Sequence, residues 1–209
     1  MARLTNIITK EILQARVRAL REHIFDDYRH CDSLVLIPVL NGAIRFCADI
    51  MRGLHQCTEL CPIMVSSRTG MMQHETKVQY DIRMPQAVPG QHVLIVEDLL
   101  DTGTTLAEVV AKVDQLGPRD LQVAVLLDKE VKRTGQNAVR LRYSGFRVPD
   151  RWICGYGIDY MQRFRELNHI SYIELSDEEK SSDVRHVKFD PERQDASQVK
   201  KPPDEDRLA

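Results

Sequence analysis

The stretch Val93–Val110, VLIVEDLLDTGTTLAEVV, decides how the rest of the chain is read. Its opening residues are apolar without alternation, the pattern of a strand buried on both faces. From Thr104 the apolar residues recur at helical spacing as far as Leu116, and Gly117-Pro118 stops the helix. Between strand and helix lie Glu97, Asp98 and Asp101, followed by Thr102-Gly103-Thr104-Thr105. Clustered carboxylates repel one another and resist desolvation, so something bound at this strand end is expected to offset that penalty.

The same alternation extends in both directions. SLVLIPVLNGA (Ser33–Ala43), CPIMVSS (Cys61–Ser67), HVLIVED (His92–Asp98), LQVAVLLD (Leu121–Asp128) and RWICGYG (Arg151–Gly157) read as strands. Leu13, Val17, Leu20, Ile24 and Tyr28 form one helical stripe, with Thr9 as a candidate N-cap, and Ile44, Cys47, Met51 and Leu54 form a second. Apolar strands alternating with helices imply an α/β fold, a mostly parallel sheet flanked by helices. In such sheets ligands sit beyond the carboxyl ends of the strands. Asn41, Gly42, Ser66, Ser67, Glu97 and Asp98 all fall at ends of this kind.

The 209 residues suffice for one domain with a core and a smaller appendage, and 43% hydrophobic with 29% charged residues is ordinary for a globular protein. A formal net charge of -2 argues against nucleic acid or a membrane surface as the general partner. No apolar run approaches the ~20 residues of a membrane span, and the N-terminus turns charged before a signal-peptide core develops, so the cytoplasm is the expected location. Five cysteines without C-x-x-C spacing read as free thiols, and His55, Cys57 and Cys61 lack a fourth ligand for zinc. Arg68–Pro85 is polar without a clean period; its first half reads as a mobile loop of the lid type, the alternative being a surface hairpin. Residues 1–175 form the expected domain. Residues 176–209 are charged and nearly devoid of large apolar side chains, as in a disordered tail.

The segment from Asp101 to Thr105 joins a strand to a helix N-terminus. Backbone N–H groups there, with the hydroxyls of Thr102, Thr104 and Thr105, make a cup for a phosphate, and Gly103 lets the backbone approach it closely. A Thr/Gly turn before a helix is also a common N-cap. Carboxylates beside an anion cup change the balance, because hydroxyls or cations must lie between the two. A sugar phosphate satisfies both, with its phosphate in the cup and its ribose hydroxyls on Glu97 and Asp98; magnesium, a hard cation with oxygen ligands, fits nearby. Pepsin-like proteases and aspartyl-phosphate enzymes share some of these letters. The former are all-β, and the latter require a Lys after the Asp that is absent after Asp101.

VLIVEDLLDTGTTL resembles the phosphoribosyl pyrophosphate motif of type I phosphoribosyltransferases, in the form carried by the hypoxanthine-guanine branch. LLDK (Leu126–Lys129), WICGYGIDY (Trp152–Tyr160) and FRELNHISYI from Phe164 extend the resemblance in family order over about Thr9 to Leu175. The resemblance implies a parallel-sheet fold with a small hood, magnesium, and assembly as a homodimer or homotetramer. It also implies transfer of a phosphoribosyl group from phosphoribosyl pyrophosphate to a 6-oxopurine in purine salvage. By resemblance Glu97 and Asp98 meet the ribose hydroxyls and the metal, and Asp101 is the general base at purine N7. Thr102, Gly103, Thr104 and Thr105 hold the 5′-phosphate. Lys129 donates to the 6-oxygen, Trp152 stacks on the base, Ile153 meets its other edge, Asp159 binds magnesium and Arg165 reaches the pyrophosphate.

The pyrophosphate loop implied at Leu40, Asn41 and Gly42, with a cis peptide at Leu40–Asn41, has Asn41 where the family often has Lys. The lid position that usually reads Ser-Tyr is Ser67-Arg68, so Arg68 is a candidate for the displaced charge. Two alternatives stand beside this reading: a xanthine- or guanine-preferring relative, and a regulatory homologue that binds RNA. The acidic balance of the chain disfavours the second.

Overall fold

The computed structural model describes residues 3–54, 57–70, 73–80 and 83–174, with side chains left out at 57, 58, 66–70, 73–80 and 136. The expected tail at 176–209 lies outside the described residues, as does His55. In chain order the elements begin β1 (Arg3–Ile8), α1 (Lys10–Tyr28), β2 (Ser33–Leu40), α2 (Ile44–Met51), β3 (Cys57–Leu60), β4 (Ile63–Gly70) and β5 (Gln73–Tyr80). They continue α3 (Met84–Ala87), β6 (His92–Leu100), α4 (Thr104–Asp114), β7 (Asp120–Lys129), β8 (Tyr143–Val148), β9 (Ile153–Cys154) and β10 (Ile170–Glu174). The chain divides into two compact units: Arg16–Asp150, and Met1–Ala15 with Arg151–Ala209.

The larger unit is built on a sheet of order β5-β4-β2-β6-β7-β8, with β3 also paired to β2. Every pairing is parallel except β4–β5. The central strands read as continuous apolar runs because both faces are covered: Val93, Leu94, Ile95 and Val96 have no solvent exposure. Each such side chain contributes about 1.5–3 kcal/mol relative to an exposed one. Val35, Ile37, Ile63, Met84, Ile95, Val109, Val113 and Val125 belong to one core cluster beneath the sheet. The α1 stripe is buried as its spacing predicts, and Thr9 Oγ1 accepts the N–H of Ile12 at 3.4 Å as the cap. Arg16 of α1 donates to the carbonyls of Gly145 and Ser144 at 2.8 Å each, fastening the helix to β8.

The polar Arg68–Pro85 segment resolves in favour of a hairpin. β4 and β5 run antiparallel from Ile63↔Tyr80 to Gly70↔Gln73, with Arg68 opposite Glu75. Two further differences concern strands. RWICGYG is not another strand of the parallel sheet: only Ile153 and Cys154 are extended, as β9 in a three-stranded antiparallel sheet of order β1-β10-β9 within the smaller unit. The outer parallel strand is instead β8. It packs Tyr143, Gly145 and Val148 inward, but its exposed Arg147 and its glycine break the apolar run that marks the inner strands.

Candidate active site

β6 stays apolar through Val96 and then presents Glu97 and Asp98 at its carboxyl end. Glu97 is buried at 7% exposure, and its Oε1 accepts the Asp98 N–H at 3.2 Å. Burial, and next the charge of Asp98, push the Glu97 carboxyl well above the usual carboxylate range. Two adjacent carboxylates, one desolvated, can be satisfied by a cation or by hydroxyl donors. Among the described residues no three His, Cys, Asp or Glu converge on one point. Magnesium takes one or two carboxylates and draws its other ligands from substrate phosphates and water. The donor chemistry of Glu97 and Asp98 therefore fits the ion.

The end of β2 meets this pair. Leu40–Asn41 is a cis peptide, as the resemblance implies. A β-carbon at Gly42 would collide with the Asp98 carboxylate, so glycine is what lets the acid rest against the Asn41-Gly42 turn.

Beyond β6 the chain turns through Asp101–Gly103 into α4. Gly103 is the N-cap at φ 85°, a left-handed conformation that favours glycine, and a β-carbon there would strike the backbone carbonyl of Asn137. Asn137 also donates to Thr104 Oγ1 at 3.2 Å, and the hydroxyls of Thr102 and Thr104 are 3.4 Å apart. The first N–H groups of a helix have no carbonyl partner within it, so the Thr104 end of α4 can receive an anion.

Lys129, at the carboxyl end of β7, is 7% exposed and reaches Asp101 Oδ2 at 2.9 Å and Asp150 Oδ1 at 3.2 Å. The proposed base and the proposed purine donor thus touch. Arg133, four residues on, is more heavily engaged. Its guanidinium donates to the carbonyls of Asp101 (2.6 Å), Leu100 (2.8 Å) and Lys129 (2.7 Å), and pairs with Asp128 Oδ1 at 2.6 Å. Neither Arg133 nor Asp150 nor Asn137 carries a signal in the sequence, where Lys132-Arg133 looks like a solvated pair on a loop.

In the smaller unit, two tight turns follow β9. Gly155 and Ile158 exchange backbone hydrogen bonds around Tyr156 and Gly157, and Tyr160 and Arg163 do so around Met161 and Gln162. All four central residues have positive φ, the type I′ pattern. Asp159 lies between the turns with both oxygens engaged: Arg165 pairs with Oδ1 at 2.8 Å, and the Gln162 N–H donates to Oδ2 at 2.8 Å. Arg165 also donates to the Gly157 carbonyl at 2.7 Å. Trp152 is 62% exposed, a large surface for an apolar ring, and Ile153 is buried opposite Tyr172. The structure therefore gathers Gly42, Glu97, Asp98, Asp101, Gly103, Thr104 and Lys129 in one unit, and Trp152, Ile153, Asp159 and Arg165 in the other. The backbone of Ser67 and Arg68 is in β4, and their side chains lie outside the described residues.

The model of the phosphoribosyl transferase domain matches residues 5–160. The chain belongs to this family. It is similar to the hypoxanthine phosphoribosyltransferase of Haemophilus influenzae, at 35% identity over 175 residues, covering 82% of this chain and 96% of that one. A solved hypoxanthine-guanine phosphoribosyltransferase from Bacillus anthracis superposes with a TM-score of 0.73 at 29% identity, covering 84% of this chain and all of the other. A hypoxanthine phosphoribosyl transferase from Trypanosoma cruzi, studied for the role of its C-terminal region in oligomeric state and enzymatic activity, matches at a TM-score of 0.73 and 31% identity, over 81% and 91% of the two chains.

Proposed function

We propose that this phosphoribosyltransferase transfers the 5-phosphoribosyl group from phosphoribosyl pyrophosphate to hypoxanthine, and to guanine, releasing pyrophosphate and the purine nucleotide. The observation that carries the proposal is the contact of Lys129 with Asp101 beside a helix-start anion cup and an acidic pair of which Glu97 is buried. The cup at Thr102–Thr105 takes the 5′-phosphate. Glu97 and Asp98 hold the ribose hydroxyls, and their charge favours the positive character that develops at C1 as pyrophosphate departs. Asp101 accepts or holds the proton at purine N7, while Lys129, released from Asp101, donates to the 6-oxygen. Magnesium, when bound, neutralises the pyrophosphate and assists its departure. For the other unit the proposal assigns Trp152 and Ile153 to the base, Asp159 to magnesium and Arg165 to pyrophosphate, on the family motif alone.

Arg68 is proposed to supply the charge that Asn41 does not. The cytoplasm, a homodimer or homotetramer, and a domain of residues 1–175 with a separate charged segment at 176–209 complete the proposal.

Incubation with phosphoribosyl pyrophosphate, magnesium and each purine in turn tests it. Hypoxanthine and guanine are expected to give the nucleotide and adenine to fail, because a lysine donor faces an amino donor there. Turnover of adenine at the rate of hypoxanthine would refute the assignment of Lys129, and a preference for xanthine would move the chain to the alternative substrate class.

A further inference from the structure

Arg133 has no role in the transfer proposed above, yet its guanidinium donates to four acceptors at the strand ends. Its side chain is 13% exposed, and every contact it makes is to the frame of the site: the carbonyls of Leu100 and Asp101 at the end of β6, the carbonyl of Lys129 at the end of β7, and the Asp128 carboxylate. Its stem also packs over Gly103, with Cδ 3.4 Å from where a β-carbon would stand. A guanidinium presents its donors in a fixed planar fork, so one side chain can hold two strands at a set distance, which a flexible single-point ammonium cannot do. The residues it spans are those whose separation matters: Asp101 follows one strand, Lys129 ends the other, and Gly103 lies within the cup as the N-cap of α4.

We infer that Arg133 is a positioning residue for phosphoribosyl transfer, clamping the β6 and β7 ends so that Asp101, Lys129 and the phosphate cup keep one mutual geometry. The inference rests on the functional reading above and deepens it. Asn137 supports the same loop, through its carbonyl against Gly103 and its amide on Thr104. A misplacement of about 1 Å at reacting groups lowers rate by about 10²-fold, so loss of the clamp acts on turnover and on phosphate affinity without removing any group that touches substrate.

The experiment compares wild type with Arg133→Lys and Arg133→Ala by steady-state kinetics, melting temperature and chemical rescue with guanidinium at concentrations well below denaturing. Both variants are expected to lose about tenfold or more in kcat/KM for phosphoribosyl pyrophosphate, the Lys variant despite its retained charge. Guanidinium is expected to restore part of the loss in the Ala variant and nothing in wild type. Wild-type constants in Arg133→Lys beside an active wild type overturn the clamp alone. So does a loss that guanidinium leaves unrestored and that follows a matching fall in melting temperature. A wild-type protein that transfers no phosphoribosyl group to any purine overturns the functional reading and the clamp with it.

Discussion

Replacing Lys129 with Met separates the catalytic from the structural meaning of a buried lysine. The side chain is 7% exposed, but its two carboxylate partners are not buried: the Asp101 side chain is 49% exposed and that of Asp150 is 62%. Pairs so open to water contribute at most about 1 kcal/mol each, and when Lys129 is removed both acids are hydrated rather than stranded. Methionine fills much of the volume of the lysine stem, so little packing is lost. A stability loss of about 1–2 kcal/mol follows, or roughly 3–6 °C in melting temperature for a domain of this size. Transfer is affected more. A charged donor on the 6-oxygen is worth about 1.5–3 kcal/mol, which is roughly 10- to 150-fold in kcat/KM for hypoxanthine. The ratio of hypoxanthine to adenine turnover should narrow at the same time, because the donor that disfavours the amino group is gone. Calorimetry and spectrophotometric assays on the two bases measure both quantities. An unchanged kcat/KM for hypoxanthine, with a melting temperature lowered by ten degrees or more, would make Lys129 a structural residue and refute the reasoning.

Asp101→Asn keeps an oxygen for Lys129 but cannot take a full proton. Its kcat should fall about 10²-fold or more, with little change in nucleotide binding by calorimetry, and wild-type turnover would remove Asp101 from the base role. Glu97→Gln should stabilise the protein at neutral pH in the absence of magnesium. Because the Glu97 carboxyl is raised in the folded state, the stability tied to its proton is present below the ordinary carboxylate range and is lost as pH rises through the raised value. The variant's advantage in melting temperature should therefore grow from pH 4 to pH 8. A variant no more stable than its parent at pH 7 would show that the buried acid carries no such strain.

The inner strands were legible because burial on both faces writes itself as an unbroken apolar run, and β2, β6 and β7 carry one. β8 was not, since an outer strand keeps a solvated side and a glycine pressed against the Leu126 carbonyl. β1 and β10 are not legible because antiparallel strands of mixed polarity look like ordinary loop sequence, and β5 is legible only as one of two readings of its segment. At the site, the acids and the Thr-Gly turn announced themselves by charge density and by spacing relative to a helix start. The contact between Lys129 and Asp101 spans 28 positions, and no local pattern encodes it. Arg133 is the clearest case of an illegible residue: its partners are mainly backbone carbonyls, which every sequence has, so only the folded chain reveals that it holds them.

The close approach of Gly42 to Asp98 has a genetic consequence. Every single-base change in a glycine codon that alters the amino acid adds at least a β-carbon. At position 42 the group that must yield is the free end of the Asp98 side chain, not backbone. The acid can swing aside from a lone β-carbon, so alleles of the Gly42→Ala kind would yield protein that accumulates and melts normally while its carboxylate points elsewhere. A survey that scores variants by abundance would pass them as benign, and one that selects for growth on salvaged bases would reject them. Suppressors at 98 are closed off as well, because shortening that residue makes the room by discarding the acid proposed to hold the ribose.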